Sequence, residues 1–181
     1  MSGANWRETL GAAHGAHLSG CGRYRTLLWR SLDLDSPPLV FAMLNPSTAD
    51  DQANDPTITR CLGFARREQA GGIVVVNLSP WRATDPQDLE HARKRGEDVV
   101  RGEKNRAAWA LACSLGPVVP AWGAGMRSWM AGLALELVAV ARTAATRGQP
   151  PPRCLGWTKG RNPQPRHPLM LRADTPLQAF R

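Results

Sequence analysis

The stretch Leu39-Val-Phe-Ala-Met-Leu-Asn-Pro-Ser-Thr-Ala-Asp50 decides the fold, because it changes from apolar to polar in one step. Its unbroken apolar half, 39–44, predicts a short strand buried on both faces. The polar half predicts a turn, and the following Asp55-Pro56 predicts a helix start, with Asp as the cap and Pro at the first helical position. Open parallel sheets place ligands where a buried strand gives way to a polar loop and a helix N-terminus. We therefore expect Asn45 at the mouth of a site.

Three further apolar runs predict that this strand belongs to a parallel sheet. They are the runs 73–77, 118–122 and 153–157. Helical patterns separate the strands, over 56–69, 103–115 and 123–146. This alternation predicts a three-layer α/β/α domain with a central, mostly parallel four-stranded sheet. The run 23–30, in which arginines flank aromatic and apolar residues, predicts an antiparallel edge strand.

The length of 181 residues and the 43% hydrophobic content predict one domain with a proper core. We assign residues 23–181 to this domain. Residues 1–22 are rich in Gly, Ala and His without periodicity, and we expect an N-terminal arm or one short helix there. No leader pattern opens the chain and no apolar run approaches about 20 residues, so we expect a cytoplasmic monomer that does not associate with membranes.

The net charge of the chain indicates which kind of partner it binds. Lys and Arg number 23 against 15 Asp and Glu, giving a net charge of +8. Such an excess favours DNA as a partner, although a genome rich in Arg codons gives the same excess. Four widely separated cysteines without a C-x-x-C pair indicate neither a zinc site nor a disulfide framework, so we expect no metal and no cofactor. Neither a dinucleotide nor a P-loop phosphate motif follows any predicted strand.

Four motifs at predicted strand ends resemble, in order, those of the uracil-DNA glycosylase superfamily. Met43-Leu-Asn-Pro-Ser47 is similar to the first motif, which reads Gly-Ile-Asn-Pro-Gly in the mismatch-specific branch. Val75-Val-Asn77 is similar to the second strand, whose Asn reads the base edge. Val119-Pro-Ala-Trp-Gly123 resembles the third strand, and His167-Pro168-Leu169 resembles the late His-Pro-Ser motif. The chain also resembles a bacterial and phage family of uncharacterised domains with the signature M-L-N-P-S-T-A-D.

This resemblance implies cleavage of an N-glycosidic bond. Such a reaction needs a held water on one side of the sugar and hydrogen-bond donors on the departing base. Asn45 and His167 would be catalytic, Asn45 holding the water and His167 donating to the base, with Asp50 as an assisting carboxylate. Asn45 stands where the fastest enzymes of the superfamily have Asp, so it matches the branch that positions water with an amide.

Base binding would fall to Asn77, Ser47 and Trp81. Each of the candidate side chains also has a plain structural interpretation. The amides of Asn45 and Asn77 would close turns, Trp81 would belong to the core, and Asp50 would lie in a solvated loop. For Asp55 the role of helix cap is favoured over that of a catalytic carboxylate.

The C-terminal segment is the predicted DNA contact. Leu169 and Met170 occupy the place of the apolar side chain that fills the gap left by a flipped base. They are flanked by three arginines that would contact DNA phosphates, Arg161, Arg166 and Arg172. In the alternative interpretation, Leu169 and Leu171 anchor the tail on the core.

Three functions stay open at this point. The first is a glycosylase-like enzyme that removes a damaged or modified base from DNA. The second is an enzyme of the same fold that acts on a free nucleoside, nucleotide or hypermodified base. The third is a module that binds a modified base in DNA without cleaving it.

Overall fold

A computed structural model describes residues 6–32 and 35–181. The described part contains five helices and seven strands. In chain order they are α1 (Trp6–Leu10), β1 (His14–Leu18), β2 (Arg25–Ser31), β3 (Leu39–Met43), α2 (Pro56–Arg67), β4 (Gly72–Asn77), α3 (Pro86–Lys94), α4 (Gly102–Leu115), β5 (Val118–Pro120), α5 (Ala131–Thr146), β6 (Arg153–Cys154) and β7 (Gln178–Ala179). Short 3-10 turns lie at Ser128–Met130 and Pro168–Met170.

A five-stranded mixed sheet with the order β1-β2-β4-β3-β5 forms the centre of the fold. Strand β3 runs parallel to both of its neighbours, with Phe41 opposite Val75 on β4 and Val119 on β5. Strand β2 is antiparallel to β4, and β1 is antiparallel to β2. The predicted α/β class is confirmed, and three of the four predicted parallel strands are present.

The prediction of a fourth parallel strand at 153–157 is wrong. Only two of its residues form a strand, β6, and this strand pairs antiparallel with β7 in a separate two-stranded sheet. Gly156 follows with a left-handed φ of 96°, a conformation that ends an extended run. The buried Leu155 explains the apolar pattern, because it packs into the core without belonging to the main sheet.

The N-terminal segment contains the short helix that was one of the two expectations for residues 1–22, but its described residues pack on the domain and do not form a loose arm. Helix α1 buries Trp6 and Leu10, and β1 forms one edge of the main sheet. Strand β2, predicted at the edge, therefore lies inside the sheet. Gly15 of β1 lets the Trp29 ring lie directly over it, since an added Cβ would come within 2.4 Å of that ring. Most of β1 is exposed, which explains why it lacks the apolar alternation of a half-buried strand.

Helices pack on both faces of the main sheet, and alternate residues of β3 point to each. Val40 and Ala42 join a core cluster that includes residues of α1, α3, α4 and α5. Phe41 and Met43 join a second cluster, formed by α2 and the C-terminal segment. Strands β3, β4 and β5 are thus buried on both sides, as their continuous apolar sequences predict.

One helical stretch, Ser128–Thr146, is long and apolar enough to cross a membrane by length and composition alone. Its apolar face packs into the protein core, and core helices commonly have such a composition. The buried residues of α5 are Leu133, Ala134, Leu137, Val138 and Ala141.

Candidate active site

The parallel strands bring two asparagines to the same edge of the sheet. Met43 lies opposite Asn77, and two further backbone hydrogen bonds extend the β3–β4 pairing, from Leu78 N to Met43 O (2.9 Å) and from Ser79 N to Leu44 O (3.0 Å). Asn45 follows directly. Neighbouring strands lie about 4.8 Å apart, so Asn45 and Asn77 belong to adjacent strand ends.

Asn45 is half-buried and uses its amide nitrogen to fix the loop after β3. Its Nδ2 donates to Ala83 O at 2.7 Å and to Pro46 O at 3.1 Å. No group in the described residues donates a hydrogen bond to its Oδ1. The nitrogen therefore orients the side chain and leaves the oxygen free to accept from a water or a ligand.

Asn77 is only 1% exposed, yet its side chain has no hydrogen-bond partner within the described residues. Both Nδ2 and Oδ1 are buried and unpaired. Its backbone oxygen, in contrast, accepts from Asn105 Nδ2 (3.1 Å) and Trp109 Nε1 (2.8 Å). An unpaired buried polar group costs about 1–3 kcal/mol. The side chain of Asn77 therefore holds one unpaired donor and one unpaired acceptor inside the protein.

The face on which this amide lies follows from strand alternation. Ile73 and Val75 belong to the cluster on the α2 side, whereas Val74 and Val76 belong to the opposite cluster. Asn77 continues the first series, so its side chain projects toward α2. The same face carries the loop between β3 and α2.

His167 lies beside Gly123, which comes shortly after the end of β5, the third parallel strand. A Cβ added to Gly123 would lie 2.9 Å from the Cβ of His167, and Gly123 N donates to Pro165 O (2.9 Å). The imidazole Nδ1 accepts from Leu169 N at 3.3 Å. Burial lowers the pKa of His167, and the charge of Asp55 opposes that shift. The neutral ring with a bonded Nδ1 carries its proton on Nε2, which is thus available as a donor.

Asp55, at the end of the loop after β3, acts on this histidine through its charge. Its carboxylate caps α2 by accepting from Ile58 N at 2.8 Å, which confirms the predicted role of helix cap. The three candidates Asn45, Asn77 and His167 thus share the carboxyl edge of the parallel strands. Their side chains make no hydrogen bond to one another within the described residues.

Asp50 and Ser47 have structural tasks in the loop between β3 and α2. The Oδ1 of Asp50 accepts from Gln52 N (2.9 Å) and Ala53 N (2.8 Å), and these bonds lower the pKa of its carboxyl. The carbonyl of Ser47 accepts from Arg82 Nε at 3.4 Å. The Asp50 carboxylate closes a turn, which is the solvated-loop interpretation of this residue.

Trp81 packs as a structural residue. It is 8% exposed, its ring meets Tyr24 edge to face at 5.2 Å, and the Arg23 guanidinium lies 5.7 Å from its centroid. Both ring neighbours lie just before β2. The core interpretation fits this position better than a stacking platform for a base.

Three arginines outside the predicted site residues surround the loop 46–54. Arg25 and Arg30 of β2 are buried, at 2% and 7% exposure, and Arg82 is half-buried. All three donate to the loop. The bonds run from Arg25 Nη1 to Ala49 O (2.6 Å), from Arg30 Nη2 to Asp50 O (2.5 Å) and Ala53 O (3.2 Å), from Arg30 Nε to Asn54 Oδ1 (2.8 Å), and from Arg82 Nη2 to Thr48 O (3.1 Å). In the sequence, the apolar residues between Arg25 and Arg30 predict a strand, but they do not predict that the two arginines are buried.

The predicted DNA-binding residues all belong to the C-terminal segment, between positions 161 and 172. Met170 is 88% exposed and Leu169 38%, whereas the next residue, Leu171, is buried at 3%. Arg161 and Arg166 are exposed. A further exposed arginine, Arg172, forms an ion pair with Asp174 at 3.0 Å.

Leu169 also borders a cavity of about 500 Å³ beside the start of α2. The other lining residues are Asn54, Asp55, Pro56, Thr59, Arg60 and Gly63. Arg60 donates from Nη2 to the carbonyl of Leu171 and so ties α2 to the C-terminal segment. The cavity therefore lies between Leu169 and the loop that carries Asn54 and Asp55.

No cluster of three or more His, Cys, Asp or Glu side chains suited to a metal occurs in residues 6–32 and 35–181. The cysteines are free thiols; Cys61, Cys113 and Cys154 are buried and Cys21 is exposed.

Comparison with known proteins gives one match. The family described as "Protein of unknown function (DUF1643)" matches residues 23–169. Searches of the curated proteins and of the solved structures return no significant match. The matched range begins just before β2 and includes Asn45, Asn77 and His167. Because it covers most of the chain, the protein belongs to the DUF1643 family.

Proposed function

We propose that this protein is a DNA glycosylase-like enzyme that cleaves the N-glycosidic bond of a damaged or modified base. The unpaired amide of Asn77 is the observation that carries the proposal. A buried amide with a free donor and a free acceptor at a parallel-strand edge suits the Watson–Crick edge of a base that has been flipped out of the duplex. The proposal includes the relationship of residues 23–181 to the uracil-DNA glycosylase superfamily, a monomeric state and a cytoplasmic location.

The chemistry assigned to the site uses two further side chains. Asn45 Oδ1 accepts from a water and holds it on the far side of the sugar. The bond between the sugar carbon and the base nitrogen breaks, and the water oxygen bonds to that carbon. His167 Nε2 donates a hydrogen bond to the departing base, which takes up the proton released from the water. Support comes from the free Oδ1 of Asn45 and from the Leu169 N–H bound to Nδ1 of His167.

In this proposal the DNA is held by the C-terminal segment. Leu169 and Met170 enter the base stack, and Arg161 and Arg166 contact phosphates. The exposure of all four side chains supports this assignment. Arg172 would first have to leave its ion pair with Asp174.

The test is a panel of duplex oligonucleotides, each with one modified or mismatched base, incubated with the protein and then treated with alkali. Base removal leaves an abasic site at which alkali breaks the strand. We expect cleavage of at least one substrate by the wild type and none by Asn77→Leu. Binding without strand breakage across the panel would favour a non-catalytic module.

A second candidate is hydrolysis or transfer on a free nucleotide or hypermodified base. The buried guanidinium of Arg25, with an unpaired Nε, favours this candidate because a small ligand reaches such a depth more easily than a duplex does. Incubation of the protein with nucleoside monophosphates, followed by chromatography of the free bases, separates the two. A salt-sensitive affinity for DNA would favour the first candidate.

A further inference from the structure

The loop 46–54 is enclosed by three arginines that form no ion pair with a carboxylate of residues 6–32 and 35–181. Among these residues, the guanidinium groups of Arg25, Arg30 and Arg82 donate only to neutral oxygens. The acceptors are the carbonyls of Gly15, Gly22, Trp29, Ser47, Thr48, Ala49, Asp50 and Ala53, with the amide oxygen of Asn54. Within the described chain, none of the three arginines forms an ion pair.

Arg25 lies deepest of the three. It is 2% exposed, and its Nε is buried without a hydrogen-bond partner in the described residues. Burial lowers the pKa of Arg25 to about 10; the charge of Asp55 opposes this shift, and the charges of Arg82 and Arg30 add to it. A buried cation without an ion pair is costly unless a ligand compensates it.

The nearby carboxylates have other tasks. Asp55 caps α2 through Ile58 N, and Asp50 closes a turn through Gln52 N and Ala53 N. Their charges act on Arg25 from a distance. The free Nε–H therefore has no internal acceptor in the described residues.

We propose that Arg25 binds a phosphate-type oxyanion of the ligand beneath the loop 46–54. This inference rests on the proposed function, since the oxyanion would belong to the same ligand whose base meets Asn77. Ala49, to which Arg25 donates, packs in the cluster on the α2 face, and the side chain of Asn77 projects to that face. The planar guanidinium donates to oxyanions through two N–H groups at once, which a carbonyl partner alone does not exploit.

The first experiment is a calorimetric titration of the full chain with inorganic phosphate, at an ionic strength held constant with chloride. We expect saturable binding by the wild type. At phosphate of 100 times Kd, Tm should rise by roughly 5–10 °C. Arg142→Met, which removes an exposed arginine on α5, should behave like the wild type. Arg25→Met should show no saturable binding of phosphate. Any change in its Tm on addition of phosphate therefore measures the effect of phosphate on stability that does not depend on the site.

Two variants keep the test decisive. Without phosphate, Arg25→Met should be at least as stable as the wild type, because the substitution removes an unpaired buried charge. Arg25→Lys keeps the charge but loses the guanidinium fork, so its affinity for phosphate should fall at least tenfold, whether or not Arg25→Met folds. Absence of saturable phosphate binding by the wild type would overturn the proposal, as would equal affinities of wild type and Arg25→Lys.

The source of the phosphate is found with three probes: a nucleoside, its 5′-monophosphate and an oligonucleotide. If the affinity for the monophosphate exceeds that for the nucleoside at least tenfold, and Arg25→Met abolishes the difference, the ligand is a free nucleotide. If only the oligonucleotide shows this Arg25-dependent increase in affinity, the phosphate belongs to the DNA backbone. Phosphate binding through Arg25 without any base release would refute the glycosylase proposal and leave the anion site standing. Base release by a wild type that binds no phosphate would do the reverse.

Discussion

Gly123 and His167 are in direct contact, and the space for the histidine exists because residue 123 has no side chain. A Cβ at Gly123 would lie 2.9 Å from the Cβ of His167, and Gly123 has a φ of +74°. The segment just after β5 thus contacts a residue that lies more than 40 positions later in the chain. The contact joins the parallel sheet to the C-terminal segment.

Gly123→Ala is expected to lower the free energy of unfolding by about 1–2 kcal/mol from the left-handed backbone alone, with a further loss from displacement of His167. Urea unfolding measures the change. Gly132→Ala is the matched control, since no atom lies near its added Cβ and it lies in α5, where alanine is favoured; it should gain up to about 1 kcal/mol. Equal stability of Gly123→Ala and wild type would contradict the contact.

Asn77→Leu is expected to leave the free energy of unfolding unchanged or to raise it. The wild-type amide is buried without partners, and an apolar side chain of similar shape removes its desolvation cost. Asn105→Leu is the control: it also removes an unpaired buried Oδ1, but it breaks the two bonds from Asn105 Nδ2 to Asn77 O and Leu78 O, so it should lower the free energy of unfolding. A large destabilisation by Asn77→Leu would mean that the amide is satisfied internally.

Several of these features were predictable because local patterns determine them. The apolar run of β3, the β-branched run of β4 and the Asp55-Pro56 helix start each depend on neighbouring residues alone. Strand β1 could not be predicted in this way, because it is short and mostly exposed and is held in place by its antiparallel partner β2. The fourth parallel strand failed for a related reason: apolar residues at 153–157 indicate burial, but not the sheet that buries them.

The candidate site shows the same limit. Sequence placed Asn45, Asn77 and His167 after strand ends, and the strand register carries the first two to one edge. Whether an amide finds a partner is a tertiary property, so the unpaired state of Asn77 left no trace in the sequence. Burial of Arg25 is equally invisible, since arginine in a strand is usually exposed.

Asp55→Ala should remove the cap of α2, at a cost of about 1 kcal/mol, and should also lower the pKa of His167 further. The second effect follows because the charge of Asp55 opposes the shift that burial causes. Asp85→Ala is the control. Asp85 caps α3 in the same way, through Gln87 N at 2.8 Å, and its loss should leave the His167 titration unchanged in NMR spectra.

The stability of the fold should depend on pH through His167. Its folded-state pKa lies below the ordinary 6.5, so the unfolded chain binds a proton first as the pH falls. Stability is fully present above about pH 6.5, and it declines as the pH falls toward the folded-state pKa, by at most about 1.4 kcal/mol per pH unit. Unfolding free energies measured from pH 8 to 5 should fall more steeply toward the acid end for the wild type than for His167→Gln, which lacks the titrating ring.

Met170 and Leu171 are adjacent yet opposite in environment, 88% and 3% exposed, and this contrast separates a DNA wedge from a core anchor. Met170→Ala should keep the Tm of the wild type, because the side chain packs against little, but should lose activity or binding on duplex DNA more than on single strands. Leu171→Ala should lose about 2–5 kcal/mol of stability, and Leu169→Ala, at 38% exposure, should fall between the two. If the stable Met170→Ala variant loses duplex and single-strand activity equally, the side chain does not fill a gap in the base stack, and the exposed apolar pair needs another partner.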